Sequence, residues 1–267
     1  METRIKSDQF YPLSQAKQMH SPTPPAMRWH IVEKDHWLDA AVKWVNQAAA
    51  TALAERGEFH IVLAGGGTPE KLYRALAGQK HDWSHWHIWF GDERCLPPED
   101  SQRNSQMAAF AWLDQIDIPT SNVHIIPAEL GPEAAAQAYT QALQNCKAFD
   151  LVLLGLGQDG HTASLFPGHD WGSESASPAA LPVRQAPKPP AERVTLSARR
   201  LSQTRGVLFL ITGADKRNAL QEWQRHVTIP ASAIQPNGGI DLLIDTDANV
   251  NTNVITDINA HPPGETQ

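Results

Sequence analysis

Five short runs in this chain are almost entirely apolar, and most of them end in a glycine or a polar turn: Phe59 to Ala64, Trp86 to Phe90, Asp150 to Leu154, Gly206 to Thr212 and Asp241 to Ile244. Runs of this length with no alternation are the pattern of strands covered on both faces. Between them lie stretches with a helical period. Trp37, Ala41, Val42, Trp44, Val45 and Ala48 form one apolar stripe of a helix expected from Asp35 to Arg56, with Asp35 as its cap. Further helices are expected after the Gly65 to Thr68 turn, with Pro69 in the first turn, from Asn104 to Leu113, from Gly131 to Cys146 and from Gly213 to Arg225. Arg28 to Glu33, Val123 to Ile126 and Arg193 to Leu196 read as additional strands. Strands alternating with helices predict an α/β fold, a doubly wound, mainly parallel sheet flanked by helices.

No fixed-period repeat and no clear linker divides the sequence, so residues 28–248 are expected to form a single domain. Residues 1–27, with their Ser-Pro-Thr-Pro-Pro cluster, read as a flexible extension, and 249–267 as a frayed polar tail. The Pro-, Ala- and Ser-rich stretch from Gly168 to Pro190 reads as a connection.

Composition narrows the function classes. With 41% hydrophobic and 19% charged residues, the chain has the make-up of a soluble globular protein. It has no run near the roughly 20 apolar residues that span a bilayer, and no secretory core at its N-terminus, so a cytoplasmic protein is expected. A net charge of -7 opposes a nucleic-acid footprint but leaves room for a few cations gathered in one pocket. A monomer or weak dimer is expected. Cys95 and Cys146 form no metal-type pair and read as reduced thiols, Cys95 with polar neighbours that would suit a reactive one. Most of the twelve histidines are isolated or flank tryptophans, and neither HExxH nor paired CxxC occurs, so no metal and no cofactor are expected.

Four strand ends carry polar or glycine-rich turns, and parallel strands place such ends on one side of a sheet. They are Gly65-Gly66-Gly67-Thr68, Asp92-Glu93-Arg94, Gly157 to His161, and Thr212 to Lys216. The first has the make-up of an anion cradle, where backbone N–H groups and a helix dipole meet negative charge; taken alone it is equally a tight turn. Arg94 and Lys216 would add full positive charges, although each is singly also an ordinary surface cation. In the third turn, Asp159 and His161 are candidates for proton transfer, because an imidazole titrates near neutrality and a neighbouring carboxylate can hold its ring. Asp159 could equally cap a helix starting near Thr162, with Ser164 inside that helix. No serine stands in a GxSxG elbow, which leaves water activated by His161 rather than a serine nucleophile.

LAGGGTPEKLY, WFGDERCLPPEDSQRNSQMA, LLGLGQDGHTASLFPG, APKPPAERVTLSA and TGADK occur here in the order seen in the 6-phosphogluconolactonases, and the chain resembles that family from about Ile31 to Asp245. The resemblance implies a modified Rossmann-like α/β domain shared with sugar-phosphate isomerases and aminosugar-phosphate deaminases. It also implies hydrolysis of 6-phospho-D-glucono-1,5-lactone without a cofactor. By the same resemblance His161 is the base, Asp159 its partner, and Arg94 and Lys216 phosphate ligands beside the Gly66-Gly67-Thr68 loop. Arg193 is a further pocket arginine, Asp92 braces the wall, and Asn104 orients the loop after Arg94. Ala64 and Gly67 stand where relatives frequently have serines, which removes hydroxyl donors but leaves the backbone cradle. Two alternatives share parts of the pattern. A glucosamine-6-phosphate deaminase would resemble HIAFNEP after the histidine, where this chain reads HTASLFP. A non-catalytic sugar-phosphate sensor would need a DNA-binding segment, for which residues 1–27 are too short and too proline-rich.

Overall fold

A computed structural model of the chain describes residues 26–250. The expected extension, apart from Ala26 and Met27, and the tail beyond Val250 lie outside the described residues. Ten strands are present among them: β1 (Met27–Val32), β2 (Phe59–Leu63), β3 (Trp86–Phe90), β4 (Asp92–Arg94), β5 (Val123–His124), β6 (Phe149–Gly155), β7 (Ala180–Val183), β8 (Arg193–Leu196), β9 (Thr204–Ile211) and β10 (Ile240–Asp245). The α-helices are α1 (Trp37–Arg56), α2 (Gly67–Ala77), α3 (Asn104–Ala111), α4 (Pro132–Ala142), α5 (Ala198–Ser202) and α6 (Arg217–Gln224).

Seven strands form one sheet in the order β1-β10-β9-β6-β2-β3-β5. Every neighbouring pair in it is parallel. The expected doubly wound α/β architecture is therefore present. Parallel strands with right-handed crossovers put α2, which leads from β2 outward to β3, on one face. α6 leads from β9 to β10 in the opposite direction and so lies on the other. β2 and β6 are neighbours, paired at Ile61 with Leu151 and Val62 with Val152, yet the chain leaves them in opposite directions. That divergence is the topological switch point, where the loops after two adjacent strands part and open a crevice. Burial of the first six residues of β6 accounts for the unbroken apolar run.

Several elements differ from expectation. Arg193–Leu196 is not in the parallel sheet: β8 pairs antiparallel with β4 and β7 in a separate three-stranded sheet. Asp92 to Arg94, expected as a turn, is thus itself a strand, and β7 lies inside the stretch expected to be an irregular connection. All four residues of β8 are buried, so its sequence marks a strand without saying which sheet receives it. Asp35 caps nothing; it sits in a single 3₁₀ turn, Lys34–His36, ahead of α1. The helix expected to Cys146 ends as α4 at Ala142 and continues as a 3₁₀ turn over Leu143–Asn145.

The largest correction concerns the residues after His161. No helix starts at Thr162; the segment is a series of turns with one isolated bridge between Thr162 and Leu165. Ala163 takes a positive φ of 47°, which a helix cannot contain, and the Thr162 hydroxyl donates back to the Gly155 carbonyl at 2.9 Å. Ser164 is consequently turned into the interior rather than placed on a helix.

Candidate active site

β6 delivers its C-terminal turn into the crevice. The turn closes on itself, with Gly157 N–H donating to the His161 carbonyl at 2.7 Å and Gly160 N–H to the Gly157 carbonyl at 3.0 Å. Two glycines are required there for different reasons. Gly160 has φ 75°, and a Cβ on it would lie 2.7 Å from Cβ of Ile229. Gly157 lies directly against His161, so that even a methyl group would overlap the imidazole and the Asp159 carboxylate.

His161 Nδ1 and Asp159 Oδ1 form a close hydrogen-bonded pair, and the ring rests against Phe166 with centroids 5.0 Å apart. Burial pushes the His161 pKa down; the Asp159 bond and charge pull the other way without overcoming it, and the Lys188 charge adds to the lowering. Burial opposes ionisation of Asp159, but its bonds to His161 hold the carboxyl below its ordinary range. At neutral pH an ionised Asp159 therefore faces a neutral imidazole. An anionic acceptor requires the proton on Nδ1, which leaves the lone pair on Nε2. Among the described residues Nε2 has no hydrogen-bond partner.

The turn after β2 forms the opposite wall. Gly65 presses against the Asn104 amide so closely that no side chain fits, and Gly66 has φ 102°. The N-terminus of α2 has Gly66 as its N-cap and no side-chain cap, so the N–H groups of Gly67 and Thr68 are donors aimed outward along the helix dipole. The Thr68 and Thr212 hydroxyls meet at 2.7 Å, joining this turn to the end of β9. Tyr73 Oη bridges Ala64 N–H and the Ala64 carbonyl, both at 2.9 Å, and so holds the strand end still.

β4 supplies the third wall. Asn104 Nδ2 donates to Asp92 Oδ1 and to the Asp92 carbonyl, each at 2.9 Å, while Ser164 Oγ donates to Asp92 Oδ2 at 2.5 Å. Asp92 thus ties α3 and the turn after His161 to one strand. Its neighbour Glu93 is fully buried and accepts from the N–H groups of Arg94, Asn104 and Ser105 at 2.7–2.8 Å, with Arg103 Nε 3.5 Å away. A buried carboxylate there takes the place of a side-chain cap for α3. Arg94 reaches the Gln102 carbonyl through Nη1, and its Nε is buried without a partner.

A cavity of about 300 Å³ occupies the crevice. Gly66, Gly67, Thr68, Asp92, Arg94, Asn104, His161, Arg193 and Lys216, expected from five separate segments of sequence, all line it. Asp159 does not; it stands behind the His161 ring. Four cations line the cavity, Arg94, Lys188, Arg193 and Lys216, against the single carboxylate of Asp92. In an acidic chain this is a local reversal of charge. Lys216 pairs with Asp215 at 2.8 Å. Arg193 donates to the carbonyls of Lys188, Pro189 and Pro190 at 2.9, 3.3 and 3.1 Å and to Ser164 Oγ at 3.4 Å, over the Phe166 ring. Most of its donors are thus spent on protein, which makes it a brace for the 188–190 loop as well as a source of charge. Lys188 and Ser164 were missed as site residues, the first because a lysine among prolines reads as loop, the second because it was assigned to a helix.

A separate group lies toward the N-terminal ends of the strands. Glu58, His60 and His87 bring one ligand atom each to within 4.8 Å of one another, so histidines that stand alone or beside a tryptophan in the sequence meet in the fold. His60 and His87 are in register on β2 and β3 and stack at 4.4 Å. Trp89 Nε1–H donates to His60 Nδ1 at 3.2 Å, which places the His60 proton on Nε2, toward Glu58. In that tautomer the nitrogen facing Glu58 offers a proton rather than a lone pair, and the cluster is a hydrogen-bonded aromatic ladder. Burial raises the Cys95 thiol to about 11, which opposes the reactive-thiol reading.

Comparison with known proteins agrees with this geometry. The family described as glucosamine-6-phosphate isomerases/6-phosphogluconolactonase matches residues 32–243. The 6-phosphogluconolactonase of Synechocystis sp. is 38% identical over 237 residues, which cover 83% of this chain and 96% of that protein. The crystal structure of the 6-phosphogluconolactonase from Thermotoga maritima superposes with a TM-score of 0.77 at 30% identity, over 83% of this chain and all of that one. A monomeric glucosamine-6-phosphate deaminase shares the fold, with a TM-score of 0.71 at 22% identity over 83% of this chain and 98% of its own. By the extent of these matches, the chain belongs to the glucosamine-6-phosphate isomerase/6-phosphogluconolactonase family.

Proposed function

We propose that the protein opens 6-phospho-D-glucono-1,5-lactone to 6-phospho-D-gluconate, the lactone hydrolysis of the oxidative pentose phosphate pathway, with His161 as the base. The observation that carries this reading is the His161 imidazole, held by Asp159 through Nδ1, lining a cavity with four cations and one carboxylate. Its Nε2 lone pair takes a proton from water as the water oxygen bonds to C1 of the lactone. The carbonyl π electrons move onto oxygen, giving a tetrahedral oxyanion. When the oxyanion collapses, the bond from C1 to the ring oxygen breaks and the imidazolium returns its proton to that oxygen. The new carboxylic acid then ionises to solvent. Asp159 stabilises the imidazolium formed between the two steps.

The phosphate sits at the N-terminus of α2, where the N–H groups of Gly67 and Thr68 join the charges of Arg94 and Lys216. Asp92 and Asn104 hold the wall from which Arg94 projects. These steps use water and protein groups and call on no cofactor. A deaminase reading lacks its acid: the residues after His161 are Thr162, Ala163 and Ser164, and the one lining carboxylate, Asp92, is held by Asn104 and Ser164. No helix among the described residues is long and apolar enough to cross a membrane. The acidic net charge and two free thiols support a cytoplasmic protein that does not bind nucleic acid, and we take it to act as a monomer or weak dimer.

Lactone consumption above the spontaneous rate is the direct test. His161→Ala is expected to lower turnover by about a hundredfold or more, with inhibition by inorganic phosphate retained; unchanged turnover would remove His161 as the base. Since burial lowers the His161 pKa, the base stays unprotonated into mildly acidic solution. The acidic limb of kcat/KM is expected to have its midpoint below the ordinary histidine value of about 6.5.

A further inference from the structure

The four cations around the cavity are not equivalent. Arg94 is bonded to the Gln102 carbonyl, Lys216 is paired with Asp215, and most Arg193 donors are taken by carbonyls and Ser164. The Lys188 ammonium alone among these charged groups has no hydrogen bond or ion pair among the described residues. Its backbone is nonetheless anchored, because the Arg193 guanidinium grips three successive carbonyls from Lys188 to Pro190. A long, mobile side chain thus starts from a fixed point on the cavity rim. Resting beneath that clamp is Phe166, the same ring that packs against His161. The clamp and the base therefore share a support, which puts Lys188 at the His161 end of the cavity. Consistent with this, the Lys188 charge helps to push the His161 pKa down, against the carboxylates of Asp159 and Asp92.

In the lactone, the carbonyl at C1 and the phosphate on C6 lie at opposite ends. A cation beside the base faces the carbonyl end, while Lys216, Arg94 and the α2 N-terminus are left for the phosphate. Resting on the lactonase reading above, we propose that Lys188 is a catalytic residue whose ammonium stabilises the oxyanion formed at C1 as water adds, with Arg193 as the residue that positions it. The ammonium needs no proton transfer for this role: it meets the negative charge as the π pair moves onto oxygen and releases it as the ring bond breaks.

The test compares Lys188→Ala and Lys188→Arg with wild type and Lys216→Ala in one lactonase assay. Wild-type hydrolysis, lost in His161→Ala, establishes the underlying reading independently of Lys188. Lys188→Ala is expected to lower kcat by about a hundredfold, the scale for loss of one oxyanion-stabilising group, with partial rescue by arginine. The Ki of inorganic phosphate is expected to stay within about twofold of wild type. Equal loss on an unphosphorylated gluconolactone is expected as well. The acidic limb of kcat/KM should move to higher pH, because removing a neighbouring positive charge makes His161 easier to protonate, a shift that a purely structural defect would not produce. A preserved kcat with a raised KM, a weakened phosphate Ki and no penalty on the unphosphorylated lactone would overturn the proposal and make Lys188 a phosphate ligand. An unmoved pH limb with full kcat would leave it an ordinary surface lysine and overturn it equally.

Discussion

At the N-terminal edge of the parallel sheet the buried acids Asp150 and Asp241 are each matched by basic side chains, whereas the cavity at the C-terminal edge is lined by four cations and one carboxylate. Asp150 accepts from Arg56 at 3.0 Å and from His60 N–H at 2.8 Å, with Arg205 3.4 Å away. Asp241 accepts from Arg28 at 2.6 and 2.7 Å and has His30 at 2.8 Å. Arg28 and Asp241 are register partners on β1 and β10, so the sheet itself sets that pairing. The C-terminal edge has the same kinds of residue but leaves Lys188, part of Arg94 and the first N–H groups of α2 unspent. A charge network that closes on itself holds elements together; one left open toward a cavity has capacity for a ligand. The count of charged residues at an edge therefore says less than how many remain unpaired.

The comparison breaks most visibly at Gly157. Alanine there is expected to displace the imidazole and lower kcat by roughly ten- to a hundredfold, since small misplacement of a catalytic group is costly. The melting temperature should change little, because the displaced ring lines a cavity and is not in the core. Full activity in Gly157→Ala would show that the close packing of His161 is dispensable. Next in size, Lys216→Ala is expected to raise KM for the phosphorylated lactone by about tenfold, near 1.4 kcal/mol, and to matter less for an unphosphorylated one. Equal penalties on both substrates would remove Lys216 from the phosphate site.

The closed edge should behave in the opposite way. Asp241→Asn is expected to leave turnover within about twofold of wild type while costing on the order of 1 kcal/mol of stability at pH 7, a modest figure because Arg28 is partly exposed. Burial alone would raise the Asp241 pKa, but its bonds to His30 and Arg28 bring it below the ordinary range. A carboxylate with a lowered folded pKa stabilises above its unfolded value, near 3.9, and loses that stabilisation as pH falls through the folded value. The stability gap between wild type and Asp241→Asn should therefore narrow below about pH 4. A gap that is constant with pH, measured by denaturant unfolding, would mean that the ionised form contributes nothing.

Legibility in the sequence followed how each residue is buried. β2, β3, β6, β9 and β10 were readable because a parallel strand covered on both faces must be apolar throughout. Of the second sheet only β8 was readable as a strand. β4 is Asp-Glu-Arg, buried through specific bonds to Asn104, Ser105 and Ser164, and β7 hides in a proline-rich stretch. Thr162 to Phe166 has the composition of a helix, but the chain there bends through Ala163 at positive φ so that Ser164 can reach Asp92. Local propensity cannot anticipate a conformation imposed by a partner 72 residues away in sequence.

Sequence alone determined the alternation that makes a parallel α/β sheet, the glycines where backbone and side chain must approach closely, and the Asp159 and His161 pair, since two residues in one tight turn are bound to be neighbours. Tertiary structure decided which cations are free. Whether a lysine or arginine is spent depends on the acids and hydroxyls that the fold brings to it, as Asp241 on β10 is brought to Arg28 on β1 and Ser164 to Arg193. Charge acts across space rather than along the chain, so the balance of four cations against one carboxylate in the cavity exists only once β4, β8, the 188–190 loop and the turn after β9 have met beside the switch point.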